Sequence, residues 1–257
     1  MIPKLEARRV SYSYHSFDGE TLALSHISFF VLPGEFLAIV GPSGCGKSTL
    51  LSLLCGLAEP EEGEILLDGM PLNTSKDAVG YMLQKDCLFP WRDIFSNISL
   101  GLEIQNNLTP ESKLQLKEMM KSYGLEGFEH AKPWELSGGM RQRAALIRTL
   151  ALQPDLLLLD EPFSALDYQT RLAVCDDISS ILRKTGKTAV LVTHDLSEAI
   201  SVADRILVLS PRPGTVKAII PIEFEEEGSC PLKRRNSPLF SHYFNLVWKE
   251  LKMDETP

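Results

Sequence analysis

The chain has 257 residues and a formal net charge of −8 at pH 7, with 44% hydrophobic and 23% charged residues. These are the proportions of a globular protein able to bury a sizeable core, and the acidic balance argues against a nucleic-acid or anionic-lipid surface. Apolar runs fall well short of the roughly 18 residues of a spanning helix, and Met1 to Arg9 is too charged for a signal peptide. Any membrane role is therefore expected through a partner. The five cysteines show no paired spacing, which indicates a reduced compartment.

In chain order, Arg9 to Tyr14 and Leu24 to Val31 alternate in a β manner, and Pro33-Gly34 closes this hairpin-like region. Glu35 to Val40 reads as a short buried strand. Gly41-Pro42-Ser43-Gly44-Cys45-Gly46-Lys47-Ser48-Thr49 then fits the pattern G-x-x-x-x-G-K-[ST] at every fixed position. Leu50 to Leu54 reads as the start of a helix, so strand, glycine loop and helix follow one another as a phosphate cradle requires. Glycines let several backbone N–H groups converge on anionic oxygens, and the helix N-terminus adds partial positive charge. Lys47 reaches the β- and γ-phosphates of a bound triphosphate, and the Ser48 hydroxyl ligates Mg²⁺. The plainer reading is a glycine turn ending in a surface lysine; the flanking strand and helix favour the nucleotide site. Cys45 is either a reactive handle or a small residue that fits.

Gly63 to Gly69 and Ala78 to Leu83 read as further strands, the second stopping at Gln84. From Lys85 to Gln153 the pattern is helical, including a helix with Thr109 as N-cap and Pro110 in its first turn. Strands return at Asp155 to Asp160, Thr188 to Thr193 and Arg205 to Ser210, separated by helices at Tyr168 to Lys184 and Ser197 to Val202. Alternating strands and helices predict an α/β fold with a parallel sheet. The expected layout is a nucleotide core over residues 1–84 and 154–230, a helical lobe over 85–153 and a helical tail over 231–257. Lys233-Arg234-Arg235 reads as a solvated turn. Leu239 to Leu251 reads as an amphipathic helix packed on its own domain rather than on a membrane surface.

Leu156-Leu157-Leu158-Leu159-Asp160-Glu161 is an apolar strand ending in two carboxylates, and α/β sheets place ligands at such strand ends. Asp160 would hold Mg²⁺ and Glu161 would act as general base on the attacking water. Taken alone, an ordinary strand end before an acidic loop fits these residues equally well.

At this point the chain resembles the ATP-binding subunits of ABC transporters. Leu136-Ser137-Gly138-Gly139-Met140-Arg141-Gln142-Arg143 is similar to the family signature, with Met140 where many members carry Gln. Gln84 matches the Q-loop, Ser164-Ala165-Leu166-Asp167 the D-loop and His194 the switch histidine. Tyr14 sits where the family stacks an aromatic on adenine, with Tyr12 as competitor. The resemblance implies a P-loop NTPase (RecA-like) core with an antiparallel β subdomain and an inserted α-helical subdomain. It implies catalytic roles for Lys47, Gln84, Glu161 and His194, and Mg²⁺ ligation by Ser48, Gln84 and Asp160. It also implies nucleotide binding by Asp167, and a head-to-tail homodimer enclosing two ATP, in which Ser137, Gly138 and Gly139 complete the site of the opposite copy.

Phe89-Pro90-Trp91 follows the Q-loop, where importers of this family receive the permease's coupling helix; packing inside the helical lobe is the alternative. The Leu-Phe-Pro-Trp form resembles the branch importing nitrate, sulfonates such as taurine, and thiamine precursors. The resemblance thus implies transmembrane permease subunits as partners, an extracytoplasmic solute-binding protein as indirect partner, no nucleic acid, and a peripheral place on the cytoplasmic face of the membrane. Two other readings compete: a soluble ATPase of the family acting on DNA or ribosomes, and an exporter subunit.

Overall fold

The computed structural model describes residues 2–17, 19–74, 78–164, 166–224 and 230–252. Parts of the expected core (75–77 and 225–229) and tail (253–257) lie outside the described residues. The alternating N-terminal segments form β1 (Leu5–Ser16) and β2 (Gly19–Val31), an antiparallel pair. They lead into β3 (Phe36–Val40), the glycine loop and α1 (Lys47–Leu54). Next come β4 (Glu62–Leu67), β5 (Met70–Pro71) and β6 (Val79–Met82). The segment up to the next strand is helical: α2 (Ile94–Ile98), α3 (Leu100–Ile104), α4 (Pro110–Ser122) and α5 (Gly138–Leu150). Strands then alternate with helices through β7 (Leu156–Asp160), α6 (Tyr168–Lys184), β8 (Thr188–Val192), α7 (Leu196–Val202) and β9 (Arg205–Leu209). β10 (Val216–Pro221), α8 (Pro231–Arg235) and α9 (Pro238–Lys252) end the described chain.

The strands form two sheets, one antiparallel in the order β2-β1-β4-β5 and one in the order β10-β9-β3-β8-β7-β6. The second sheet is parallel except for its antiparallel edge strand β10. Its central strands are covered on both faces, which is why they read as unbroken apolar runs. In β7, Leu157 and Leu159 face the helical segment with Ile147 and Ile178. Leu156 and Leu158 face the opposite way, toward Leu50 and Leu54 of α1. All four leucines are buried, and each contributes about 1.5–3 kcal/mol on leaving water.

Two places differ from the sequence expectation. Val216–Pro221 forms an edge strand where none was expected, paired to β9 through contacts a local pattern does not carry. The basic run is no solvated turn either. Arg234 is buried and donates to the Ala203 carbonyl (2.7 Å), with its guanidinium 5.2 Å from the Phe224 ring centroid. Arg235 pairs with Asp176 of α6 at 2.5 Å. These cations clamp α8 onto the sheet's helices, while Val247, Phe240 and Leu251 of α9 pack beside it.

α7 opens on Asp195, whose Oδ1 accepts from the backbone N–H of Ser197 and Glu198. This cap turns Glu198 inward, where Oε2 accepts from the Thr193 hydroxyl and Oε1 has no hydrogen-bond partner among the described residues. Burial pushes the Glu198 carboxyl from 4.5 up to about 7; the Thr193 hydrogen bond opposes this and the Asp195 charge reinforces it. Folding thus favours the protonated form. From about pH 4.5 to about 7 the native chain binds more protons than the unfolded one, so this group's ionisation lowers stability as pH rises through that window. Urea midpoints compared for wild type and Glu198→Gln should show the variant gaining about 2–3 kcal/mol relative to wild type between about pH 5 and about pH 8. A difference independent of pH would refute the buried, protonated Glu198.

Candidate functional site

The site lies where β3, β7 and β8 end side by side. The backbone N–H of Glu161 donates to the Val192 carbonyl (2.9 Å), and that of Thr193 to the Ile39 carbonyl (3.2 Å). These bonds hold the glycine loop, the two acids and His194 at one rim.

The loop itself needs its glycines. Gly46, the N-cap of α1, has φ +101°, and a Cβ there would stand 2.7 Å from Leu24 Cδ2. A Cβ on Gly41 would meet the Cys45 sulfur at 2.7 Å. Cys45 is buried behind the loop, and that burial pushes its thiol up, so it behaves as a packed small side chain rather than a reactive one. Lys47 is buried as well; its ammonium donates to the carbonyls of Gly41 (2.8 Å) and Pro42 (2.9 Å). It also contacts the Cys45 sulfur at 3.8 Å, and a buried cation held by neutral groups of the loop is a ready counter-charge for an anion there.

Tyr14, Ser43, Gly44, Gly46, Lys47, Ser48, Thr49 and Glu161 line one cavity of about 270 Å³, together with Ala23 and Arg212. The Tyr14 hydroxyl is 2.9 Å from Thr49 Oγ1, and its ring, half exposed, meets Tyr12 edge-on at 5.2 Å. Tyr12 packs instead against the core below, and of the two rings Tyr14 is the one that lines the cavity.

Glu161 carries a left-handed backbone (φ 43°), a conformation that costs a non-glycine residue about 1–3 kcal/mol. Its Oε2 accepts from Gln84 Nε2 at 3.0 Å and lies 3.2 Å from His194 Nδ1. Gln84 and His194, 110 positions apart, thus meet on one oxygen. Gln84 also donates to Ser164 Oγ at 3.4 Å. Asp160, behind Glu161, accepts from the Tyr81 hydroxyl at 3.1 Å. Burial pushes the Asp160 carboxyl above the usual range, the Tyr81 hydrogen bond opposes this, and the Glu161 charge adds to it.

Ser137, Gly138, Gly139 and Asp167 are not among the residues lining this cavity. Ser137 caps α5, accepting from the Met140 N–H at 3.3 Å. The two glycines let α5 lie close on its neighbours: a Cβ on Gly139 would meet Thr170 Cγ2 at 2.9 Å, and one on Gly138 would meet Leu166 Cδ2 at 3.0 Å. Asp167 caps α6 through the Thr170 N–H (3.1 Å), and hydrogen bonding from Thr170 holds its carboxyl below the usual range. Ala165 of that motif lies outside the described residues.

Tyr81 and Arg148, which no motif marks, also shape this region, together with Arg141 of the signature. Tyr81 fixes Asp160. Arg141 and Arg148 of α5 grip the segment after Gln84, through Asp86 Oδ2 (2.9 Å) and the carbonyls of Asp86 (2.7 Å) and Cys87 (2.8 Å). Beyond it, Asn97 of α2 is fully buried; its Oδ1 accepts from Phe89 N, and its Nδ2 donates to the carbonyls of Phe89, Arg92 and Asp93. Outside this knot Phe89 and Trp91 stack at 4.9 Å, with Trp91 71% exposed.

Known proteins match this arrangement. The family model described as ABC transporter matches residues 24–164, over half of the chain. An uncharacterized ABC transporter ATP-binding protein of Bacillus subtilis is 48% identical over 96% of this chain and 95% of its own length. A taurine import ATP-binding protein of Yersinia pestis is 43% identical over 79% of each chain. An aliphatic sulfonates import ATP-binding protein of Bacillus licheniformis is 39% identical over 92% of this chain and 90% of its own. Among solved structures, a dimeric ATP-binding cassette in a post-hydrolysis state, bound to ADP and Pi, superposes with a TM-score of 0.74 at 30% identity, covering 86% of this chain and 99% of that one. The chain belongs to the ATP-binding subunits of ABC transporters, a family that hydrolyses ATP.

Proposed function

We propose that this chain is the motor subunit of an importer, working as a homodimer that encloses two ATP and drives a permease at the cytoplasmic face of the membrane. The observation that carries the ATPase part is the convergence of Lys47 and Glu161 on one cavity, with Gln84 and His194 both directed at Glu161 Oε2.

The donor set suits a hard divalent cation such as Mg²⁺: the Ser48 hydroxyl, the Asp160 carboxylate and the Gln84 amide oxygen are all oxygen ligands. The raised Asp160 carboxyl is the group a neighbouring cation would return to its charged form. When bound, the ion supplies positive charge to the phosphate oxygens. Lys47 exchanges its loop carbonyls for the β- and γ-phosphates, and Tyr14 stacks on the adenine. Glu161 takes a proton from water as that water's oxygen bonds to the γ-phosphorus and the bond to the ADP oxygen breaks, giving ADP and inorganic phosphate. His194 and Gln84 hold Glu161 and the γ-phosphate in line. Ser137, Gly138 and Gly139 of the second copy offer a hydroxyl and helix-terminal N–H groups to that phosphate, consistent with their place outside this chain's own cavity.

The importer assignment rests on the exposed Phe89–Trp91 stack, an aromatic anchor of the kind that fills a partner's pocket, and on relatives named for taurine and sulfonate import. The solute class we infer is a small compound of the nitrate, sulfonate or thiamine-precursor type, delivered to the permease by an extracytoplasmic binding protein.

Glu161→Gln should slow ATP hydrolysis by at least about a hundredfold while ATP still binds and gathers the chain into dimers on light scattering; normal turnover would remove Glu161 as the base. Trp91→Ala should hydrolyse ATP normally in isolation yet fail to co-purify with its permease. Undiminished assembly would count against the docking role.

A further inference from the structure

The loop after β9, Ser210 to Thr215, is built with more care than a connection requires. Ser210 Oγ donates to the carbonyls of Pro211 (3.0 Å) and Pro213 (3.3 Å) and accepts from the Thr215 N–H (2.9 Å). Gly214 is stitched to β2, its N–H on the Ala23 carbonyl and its carbonyl on the Ser25 N–H, both at 2.9 Å. On its other side it presses against the glycine loop: a Cβ on Gly214 would stand 2.2 Å from the Cys45 carbonyl oxygen. The segment is thus clamped between β2 and the phosphate cradle.

The clamp carries Arg212, flanked by Pro211 and Pro213, each with its φ held by the ring. Arg212 is exposed and lines the same cavity as Tyr14, Lys47, Ser48, Thr49 and Glu161. Its Nε lies 3.4 Å from the Gly44 carbonyl, a long contact, and its Nη2 stands 3.9 Å from where a Gly44 Cβ would be. Most other arginines of this chain are committed: Arg141, Arg171, Arg183, Arg205 and Arg235 each meet a carboxylate, and Arg148 meets two carbonyls. Among the described residues no carboxylate pairs with Arg212. In a chain of net charge −8, a guanidinium without an acid stands at the mouth of an anion cleft.

We propose that Arg212 is a phosphate ligand of the bound nucleotide, reaching from the rim of the loop while Lys47 reaches from inside it. The inference rests on the ATP site described above and adds a residue that none of its motifs contains. The guanidinium fork is suited to two phosphate oxygens at once, and nothing in its present contacts has to be broken except one weak bond to Gly44. The prolines and the Gly214 clamp hold the Arg212 backbone in place beforehand, so the ordering cost of binding is confined to its side chain.

Titration calorimetry on the full chain without magnesium, which prevents turnover, measures ATP and ADP affinity for wild type, Arg212→Ala and Arg212→Lys. Arg212→Ala should weaken both nucleotides about tenfold, while Arg212→Lys, which keeps the charge and loses the fork, should fall between Arg212→Ala and wild type, with the nucleotide-free melting temperature unchanged in both. ATP affinity of Arg212→Ala within about twofold of wild type would overturn the assignment. So would a tenfold loss that Arg212→Lys does not relieve and that comes with a lower nucleotide-free melting temperature, since that marks a packing role. Wild type that binds no ATP would instead bring down the nucleotide site itself.

Discussion

Two backbone hydrogen bonds beyond the strand ends, Glu161 to Val192 and Thr193 to Ile39, set the geometry on which the site depends. Parallel strands running in step bring three loops to one edge, but each loop is then free to turn away. These bonds carry the alignment one residue past the sheet. The cradle, the acid pair and the histidine are therefore placed by backbone geometry, and their side chains need only short reaches to meet. The buried leucines of β7 underneath make that edge stiff. A shift of one strand would have to drag apolar surface out of two cores at once.

The helical segment shares an apolar core with the sheet and is also joined to this edge by polar grips. Arg141 and Arg148 of α5 hold Asp86 and Cys87, two and three residues past Gln84, which itself touches Glu161. A short covalent and hydrogen-bonded path thus runs from the acid through Gln84 to the helix that begins at Ser137. The path does not pass through the sheet. Such a path suits an engine in which nucleotide chemistry displaces one lobe against another.

Much of this was legible in the chain before folding, for physical reasons. The glycine loop announces itself because phosphate chemistry restricts residue type at fixed spacings. The doubly covered strands show as unbroken apolar runs, and Tyr168–Lys184 as a helix between two of them, because burial there is local and regular. What stayed hidden depends on distant partners. Lys233-Arg234-Arg235 reads as solvent-facing until Ala203, Phe224 and Asp176 are brought beside it. Val216–Pro221 becomes a strand only because β9 offers an edge. Tyr81 and Arg212 sit outside any motif, and only the third dimension puts one on Asp160 and the other in the cleft.

The knot around Asn97 has a consequence for how such a surface meets other molecules. Its amide ties off the loop from Phe89 to Asp93 from within, and Lys132 holds the Trp91 carbonyl from outside, so groups of this chain alone fix the loop that carries the stacked rings. A contact surface cast in advance gives up little conformational freedom when it engages, and the strength of the engagement then follows the fit of the opposing socket. Residues at the tip can thus be exchanged while the buried asparagine keeps the loop in its form.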